Sequence, residues 1–202
     1  MPKIEFFSPF GIYFERDVLN NGLRQLIMDE VRAAKTFTTG QVIGKQGEGL
    51  DHEDWRKVRV TALSVPLQQE IDAKLSALQP RLESHFGQSL KGHERFQCLV
   101  YQPGDFYRYH QDVLPKESME HSAKGRKVSL VLFVNGEGEN TEQEYRGGAL
   151  MFYGLVQGKS GKNFGIPVQP ETSMAVVFPS ETFHEVAPVL EGQRITIVTF
   201  YF

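Results

Sequence analysis

Short strand patterns dominate the second half of the chain, and they constrain the fold more than any other feature. From residue 94 onward, runs of β-branched and aromatic residues are separated by turn residues such as Pro103-Gly104 and Gly147-Gly148. A series of short strands of this kind indicates an antiparallel sandwich or barrel. We predict strands at Phe96–Gln102, Phe106–Gln111, Val128–Asn135, Ala149–Tyr153, Met174–Phe178, Thr182–Val186 and Ile195–Phe202.

The first part of the chain carries helical patterns instead. Asp17 is predicted to cap a helix that runs to about Ala34, and a second helix is predicted from Pro66 to Phe86. Pro80 lies inside the second pattern and is expected to kink or split that helix. A further strand is predicted at Lys57–Leu63. The expected architecture is therefore mainly β with supporting helices, of the α+β class.

Length and composition limit the classes of protein. The chain has 202 residues, of which 40% are hydrophobic and 23% charged, so we expect one domain over residues 1–202. In it, residues 1–93 form an N-terminal helical layer and hairpin that support a core of residues 94–202. The formal net charge of −3 gives no sign of nucleic-acid binding. With Cys98 as its single cysteine and neither a signal peptide nor a membrane span expected, a cytoplasmic protein is predicted.

One strand ends in a pair of metal-ligand residues. His110 and Asp112 are two residues apart, so on a strand their side chains point to the same face. His184 lies between two later strands of the same predicted barrel. Two histidines and one carboxylate form the facial triad that suits Fe(II) and leaves coordination positions open. Zinc is the weaker candidate, since the chain has no helical His-Glu-x-x-His pattern.

The final strand carries an arginine that needs a partner. Arg194 would project into the barrel, where a guanidinium group is costly to bury unless an anion pairs with it. A bound dicarboxylate would supply that anion through a bidentate contact. Thr196 lies on the same face of the strand and would donate a second hydrogen bond. The alternative is that Arg194 pairs with a carboxylate at the protein surface.

Taken together, these motifs resemble the 2-oxoglutarate- and iron(II)-dependent dioxygenases, in particular the prolyl 4-hydroxylase-like branch. The resemblance is specific from about residue 94 to residue 202, and Phe37–Gln41 is also similar to the hypoxia-type prolyl hydroxylases. The fold that it implies is a double-stranded β-helix, or jelly roll, which agrees with the series of strands. The segments that carry the resemblance are Tyr101–Gly104, Tyr107–Asp112, Arg146–Leu150 and His184–Arg194.

The resemblance implies a role for each site residue. His110, Asp112 and His184 would be the iron ligands, and Arg194 would bind the distal carboxylate of 2-oxoglutarate. The implied cofactors are Fe(II), 2-oxoglutarate and O2, with ascorbate as a candidate reductant. Tyr101 would line the cosubstrate pocket. Tyr107 and Phe200 would wall the substrate side. Independently of the resemblance, Arg126 is a candidate substrate contact, because it lies in the polar run Lys116–Lys127 that follows Asp112.

One position departs from the family pattern. On the Val128–Asn135 strand, hypoxia-type enzymes place a tyrosine that helps the arginine to hold the cosubstrate. The matching residue here is predicted to be Leu132, so Thr196 or Tyr101 is expected to supply the second donor. This departure argues against a hypoxia-type enzyme more than it argues against a dioxygenase.

Several functions remain open at this point. The branch suggests a prolyl residue of a protein or peptide as the substrate, which would bind in a groove bordered by Thr38–Gly49 and the loop after Asp112. A free amino acid or another small molecule is the second enzymatic interpretation. A non-catalytic cupin-like metal-binding barrel and a metal-dependent hydrolase are the alternatives from other classes. A cupin usually shows a His-x-His pair and has no need of Arg194.

Overall fold

Short β-strands and two α-helices make up most of the regular structure. The structure is a computed structural model, and it describes residues 4–43, 49–50, 52–113, 122–156 and 164–202. The helices are α1 (Asn21–Ala33) and α2 (Val65–Phe86). The strands are β1 (Tyr13–Glu15), β2 (Thr38–Thr39), β3 (Val42–Ile43), β4 (Gly49–Leu50), β5 (Arg56–Lys57), β6 (Arg59–Thr61), β7 (Gln97–Tyr101), β8 (Phe106–His110), β9 (Val128–Phe133), β10 (Tyr145–Gly147), β11 (Leu150–Phe152), β12 (Ile166–Val168), β13 (Ala175–Pro179), β14 (His184–Val186), β15 (Val189–Gly192) and β16 (Arg194–Tyr201).

Two antiparallel sheets form the core. The larger has seven strands in the order β1-β13-β9-β16-β7-β6-β2, and the smaller has five in the order β12-β11-β14-β8-β5. The pairs β10-β15 and β3-β4 form two-stranded sheets. The predicted architecture is confirmed, since the chain is mainly β, with a jelly-roll core and supporting helices. Within the described residues, neither helix is long and apolar enough to cross a membrane.

The seven-stranded sheet separates two apolar layers. On β9, Leu130 and Leu132 pack in the same cluster as the buried side chains of α1 and α2. Val131 and Phe133 point the other way and pack with Phe152 of the five-stranded sheet. Each of these side chains is at most 7% exposed, and burying one of this size stabilises the fold by about 1.5–3 kcal/mol. The second layer, between the sheets, holds the functional site.

Strand β16 shows the same alternation and brings polar groups to the interior. Ile195 and Ile197 belong to the cluster with the helices. Arg194, Val198 and Phe200 line a cavity between the sheets. The period-two rule therefore predicts correctly which residues of β16 face inward.

The start of the first helix differs from the sequence prediction. Asp17 does not cap α1; it has a positive φ of 56° and lies in the turn before the helix. Asn20 is the cap, and its side chain accepts a hydrogen bond from the N–H of Leu23 at 2.8 Å. The helix begins later because Val18 and Leu19 are buried against the core before the chain turns into α1.

Two further predictions from the first part of the chain need correction. Of the kink or split predicted at Pro80, the split is wrong, because helix α2 continues to Phe86. Pro80 is exposed, so water can bind the backbone carbonyl that lacks an N–H partner because proline has none. Leu78 and Leu82, on either side of Pro80, pack in the cluster between the helices and the sheet and keep the helix continuous. The strand predicted at Lys57–Leu63 is two strands, because β5 joins the five-stranded sheet and β6 the seven-stranded sheet.

Candidate metal and dicarboxylate site

Three side chains converge at the end of two neighbouring strands. His110 ends β8 and His184 begins β14, and the two residues are paired across the strands. Asp112 lies two residues after the end of β8, and its backbone N–H donates to the carbonyl of Ser180 at 2.9 Å. One ligand atom from each of the three side chains lies within 4.8 Å of the others. We call these three residues the metal triad.

The triad presents its ligand atoms to one point. The carboxylate of Asp112 lies between the two imidazoles, with Oδ1 3.5 Å from Nε2 of His110 and Oδ2 3.4 Å from Nε2 of His184. Nδ1 of His110 is 2.7 Å from the carbonyl of Arg108, and Nδ1 of His184 is 2.9 Å from that of Thr182. These carbonyls fix each ring with Nδ1 as the donor, which leaves Nε2 free to bind a metal ion.

The electrostatics favour the protonation states that bind metal. Burial lowers the pKa of His184 to about 4, so its imidazole is neutral near pH 7. Burial alone would raise the pKa of Asp112, but its interactions with His184, His110 and Ser129 hold it well below its usual range. A neutral imidazole and an ionised carboxylate are the forms that coordinate a metal ion.

Aromatic rings enclose the triad. Tyr107 stacks on the ring of His110 with 3.5 Å between the ring centres, and Phe178 packs edge-on against His184 at 4.7 Å. The side chains of His110, Asp112 and His184 are only 9%, 12% and 5% exposed. Because so little of these side chains is exposed to solvent, the local dielectric is low, which strengthens electrostatic interactions at the triad and limits the access of water.

Arg194 lies in the same cavity and lacks an anionic partner. The residue is 1% exposed, yet it forms no ion pair with any described residue. Its Nε and Nη2 atoms are buried without a hydrogen bond, and Nη1 donates only to Thr196 Oγ1 at 3.5 Å. The guanidinium lies against the rings of Tyr101 at 4.9 Å and Phe133 at 4.8 Å. A buried cation of this kind fits an incoming carboxylate.

The structure places the predicted cosubstrate residues differently. Tyr101 lines the cavity next to Arg194, as predicted. Thr196 is fully buried and has only the long contact with Arg194, and it is not among the described residues that border the cavity. Leu132 is not the position that faces the arginine, because its side chain points to the helices. Phe133 occupies that place, and it has no hydroxyl group.

The predicted substrate-side residues also border the cavity. Tyr107, Phe200 and Arg126 all line it. The guanidinium of Arg126 lies 3.5 Å from the centre of the Phe200 ring and forms an ion pair with Glu94 at 2.8 Å. It also donates to the backbone carbonyl of Asp112 at 3.1 Å. The loop after Asp112, which we predicted to border the substrate groove, lies outside the described residues from 114 to 121.

Sequence reasoning missed a second buried arginine in the cavity. Arg56 is 8% exposed, lines the cavity and lies 4.7 Å from the ring of Tyr107. Its Nη1 donates to the carbonyl of Gln41 at 2.5 Å, while Nε has no partner. In the sequence, Arg56 stands among charged residues that are typical of a solvated segment, so no local pattern marks it as buried.

Comparisons with known proteins agree with this geometry. A family model described as the 2OG-Fe(II) oxygenase superfamily matches residues 96–202, and no curated protein matches the sequence. A prolyl-4-hydroxylase of Pseudomonas putida has a similar structure, with a TM-score of 0.66 and 22% identity over 98% of this chain and 95% of that chain. A prolyl hydroxylase of Trichoplax adhaerens, solved with a hypoxia inducible factor peptide fragment, has a TM-score of 0.70. Its sequence identity is 18%, over 98% of this chain and 86% of that chain.

A third similar structure comes from a virus. The viral collagen prolyl hydroxylase of Paramecium Bursaria Chlorella virus-1, solved as a 2OG complex, has a TM-score of 0.60 and 15% identity, over 94% of each chain. At these identities the three structures establish a shared fold. The family model covers more than half of the chain, and it includes every residue of the metal triad and Arg194.

Proposed function

Because the chain belongs to the 2OG-Fe(II) oxygenase superfamily, we propose that it hydroxylates a prolyl residue of a protein or peptide, with the metal triad as its iron site. The protein is a 2-oxoglutarate-dependent dioxygenase, and its cofactors are Fe(II), 2-oxoglutarate and O2. The observation that carries the site assignment is that one cavity is lined by the triad and by a buried arginine without an anion.

The donor set fits Fe(II). Two imidazole nitrogens and one carboxylate occupy one face of an octahedron and leave the opposite face open for other ligands. His110, Asp112 and His184 would hold the iron, with both rings oriented by backbone carbonyls. When bound, iron together with 2-oxoglutarate and O2 supplies the oxidising power that hydroxylates an unactivated C–H bond.

The other cavity residues have binding and shielding roles in this proposal. Arg194 would pair with the distal carboxylate of 2-oxoglutarate, with Tyr101 and Thr196 beside it. Tyr107 and Phe200 would form apolar walls on the substrate side and exclude water from the reacting atoms. Arg126 would contact the substrate while its bond to the Asp112 carbonyl steadies the segment that carries this ligand.

Two observations support a prolyl substrate. The similar structures include prolyl hydroxylases from a bacterium, an animal and a virus, and one of them holds a peptide. Aromatic walls also suit the apolar ring of proline. A free amino acid remains the second candidate, because the unpaired Nε of Arg56 would suit the carboxylate of a small substrate. We further propose ascorbate as the external reductant and the cytoplasm as the location.

The substrate class can be tested by following oxygen into candidate substrates. The purified protein would be incubated with Fe(II), 2-oxoglutarate and air, together with either a library of proline-containing peptides or free amino acids. We expect succinate formation and a mass gain of one oxygen atom on a prolyl residue. Oxygen gained only by a free amino acid would contradict the prolyl substrate and leave the iron site standing. The controls are His110→Ala, which should be inactive, and His52→Ala, an exposed histidine outside the cavity.

A further inference from the structure

A buried tyrosine hydroxyl without a partner lies beside Arg194. Tyr145 on β10 is 0% exposed, and its Oη atom has no hydrogen bond. In the described part of the chain, five buried side-chain atoms lack a partner, and three of them are Oη of Tyr145 and Nε and Nη2 of Arg194. Since nearly all buried polar atoms in folded proteins are hydrogen-bonded, such a concentration at one place calls for an explanation.

The surroundings of Gly148 show that the side chains of Tyr145 and Arg194 lie next to each other. A Cβ atom at Gly148 would lie 3.0 Å from Cδ of Arg194 and 3.6 Å from Cε2 of Tyr145. Strand pairing places Tyr145 opposite Gly192, two residues before Arg194. Arg194 opposes the rise in the pKa of Tyr145 both by its charge and through a contact of its side chain with the hydroxyl, although that contact does not have the geometry of a hydrogen bond. The hydroxyl and the guanidinium are therefore neighbours whose polar atoms are not paired with each other.

The chemistry of these atoms specifies the missing partner. A guanidinium N–H can only donate, and a carboxylate can only accept. Burial raises the pKa of the Tyr145 hydroxyl to about 12, so the group stays protonated near neutral pH and can donate as well. The unpaired positive charge of Arg194 requires an anion, which a water molecule cannot supply. A carboxylate has two oxygens and several lone pairs, so it can accept from both side chains.

We propose that the Tyr145 hydroxyl donates a hydrogen bond to the distal carboxylate of 2-oxoglutarate, beside Arg194. This proposal rests on the proposed role of Arg194. Arg194 borders the cavity. Tyr145, like Thr196, is not among the described residues that line the cavity, but it lies next to Arg194 in the apolar core between the sheets. Tyr145 would thus supply the second donor that neither Phe133, which lacks a hydroxyl group, nor Thr196, with its 3.5 Å contact, provides well.

The test compares two ligands that share the keto-acid end. 2-Oxoglutarate carries the distal carboxylate, whereas pyruvate has only the group that chelates the metal. Their dissociation constants would be measured by calorimetry on protein loaded with Mn(II), which needs no turnover. We expect Tyr145→Phe to weaken 2-oxoglutarate binding about tenfold and to leave pyruvate binding unchanged. Removing an unsatisfied buried hydroxyl should also leave the melting temperature of the ligand-free protein equal or higher.

Tyr201→Phe is the matched control. The Tyr201 hydroxyl is buried too, but it donates to the carbonyl of Leu75 at 2.7 Å, away from the cavity. This variant should lose stability and keep its 2-oxoglutarate affinity. A second control tests whether Tyr145 acts directly on the ligand or only orients Arg194. In the Arg194→Met background, Tyr145→Phe should weaken 2-oxoglutarate binding further; no further loss would mean that Tyr145 acts only through Arg194 and would overturn the proposal.

The remaining outcomes separate this inference from the proposed function. If Tyr145→Phe binds 2-oxoglutarate like the unchanged protein while Arg194→Met does not, the hydroxyl is not a donor and the arginine assignment stands. If neither variant loses affinity, the assignment of Arg194 fails together with that of Tyr145. An equal loss for pyruvate and 2-oxoglutarate in Tyr145→Phe would indicate general disruption and would also overturn the inference.

Discussion

The metal triad and Arg194 line one cavity, but the protein holds them in different ways. His110 and His184 are each oriented by a backbone carbonyl, and Asp112 lies between them with its backbone N–H bonded to Ser180. Arg194 is buried to a similar degree, yet two of its nitrogen atoms have no hydrogen bond. The protein alone thus organises the triad, whereas Arg194 needs a ligand to complete its interactions.

This difference between the triad and Arg194 has separate consequences for ligand binding and for protein stability. An unsatisfied buried polar group costs about 1–3 kcal/mol, and more when it is charged. The ligand-free protein therefore bears a cost at Arg194 that a dicarboxylate would offset. Substitutions at the triad should remove the metal, whereas substitutions near Arg194 should weaken the cosubstrate without unfolding the protein.

Replacing a triad histidine should have the largest effect. His110→Ala leaves two ligands, which hold Fe(II) poorly, so iron affinity should fall by more than about 100-fold and turnover should disappear. The iron content after dialysis against a weak chelator measures this directly. His52→Ala should retain its iron. An unchanged iron content in His110→Ala would show that His110 is not an iron ligand.

Arg194→Met should have the next largest effect, and only on the cosubstrate. The affinity for 2-oxoglutarate should fall about 10- to 100-fold, because charge-assisted hydrogen bonds are lost, while iron binding survives. Calorimetric titration and a melting curve of the ligand-free protein would be recorded together. A protein that melts much earlier but binds 2-oxoglutarate normally would show that Arg194 is structural.

Arg126→Met should have a moderate effect on the substrate side. The variant keeps the aliphatic part of the side chain on Phe200 but loses the ion pair with Glu94 and the bond to the Asp112 carbonyl. For a peptide that the protein hydroxylates, KM should rise about tenfold, and the dissociation constant of 2-oxoglutarate should not change. A selective loss of 2-oxoglutarate binding would instead place Arg126 at the cosubstrate.

Thr196→Val should have the smallest effect. The hydroxyl accepts from Arg194 at 3.5 Å, beyond the range of a good hydrogen bond, so the affinity for 2-oxoglutarate should change less than about threefold. The same titration measures it. A loss of tenfold or more would make Thr196 the second donor, as we predicted from the sequence.

The sequence indicates that the triad side chains and Arg194 lie at one cavity because the alternation of side chains along a strand is a local rule. His110 and Asp112, or Arg194 and Phe200, share a face whatever the rest of the fold does. Leu132 was assigned wrongly for a related reason: every residue of β9 is buried, so its hydrophobic pattern does not show which face points inward. Tyr145 was missed because its neighbour Arg194 comes from a distant strand, and only the fold brings the two side chains together.

The same limit applies to the N-terminal part. The division of one predicted strand into β5 and β6 depends on each segment pairing with a different sheet, through β8 and β7. Arg56 enters the cavity as a result of that division. Local propensity carries no information about which sheet a short segment will join.

The most direct test of the account is the anaerobic addition of Fe(II) and 2-oxoglutarate, followed in the visible spectrum. Iron chelated by a 2-oxo acid gives a weak metal-to-ligand charge-transfer band. We expect the band in the unchanged protein, its loss in His110→Ala, and a much higher 2-oxoglutarate requirement in Arg194→Met. No band at saturating iron and 2-oxoglutarate would contradict the assignment of this cavity as the iron and cosubstrate site.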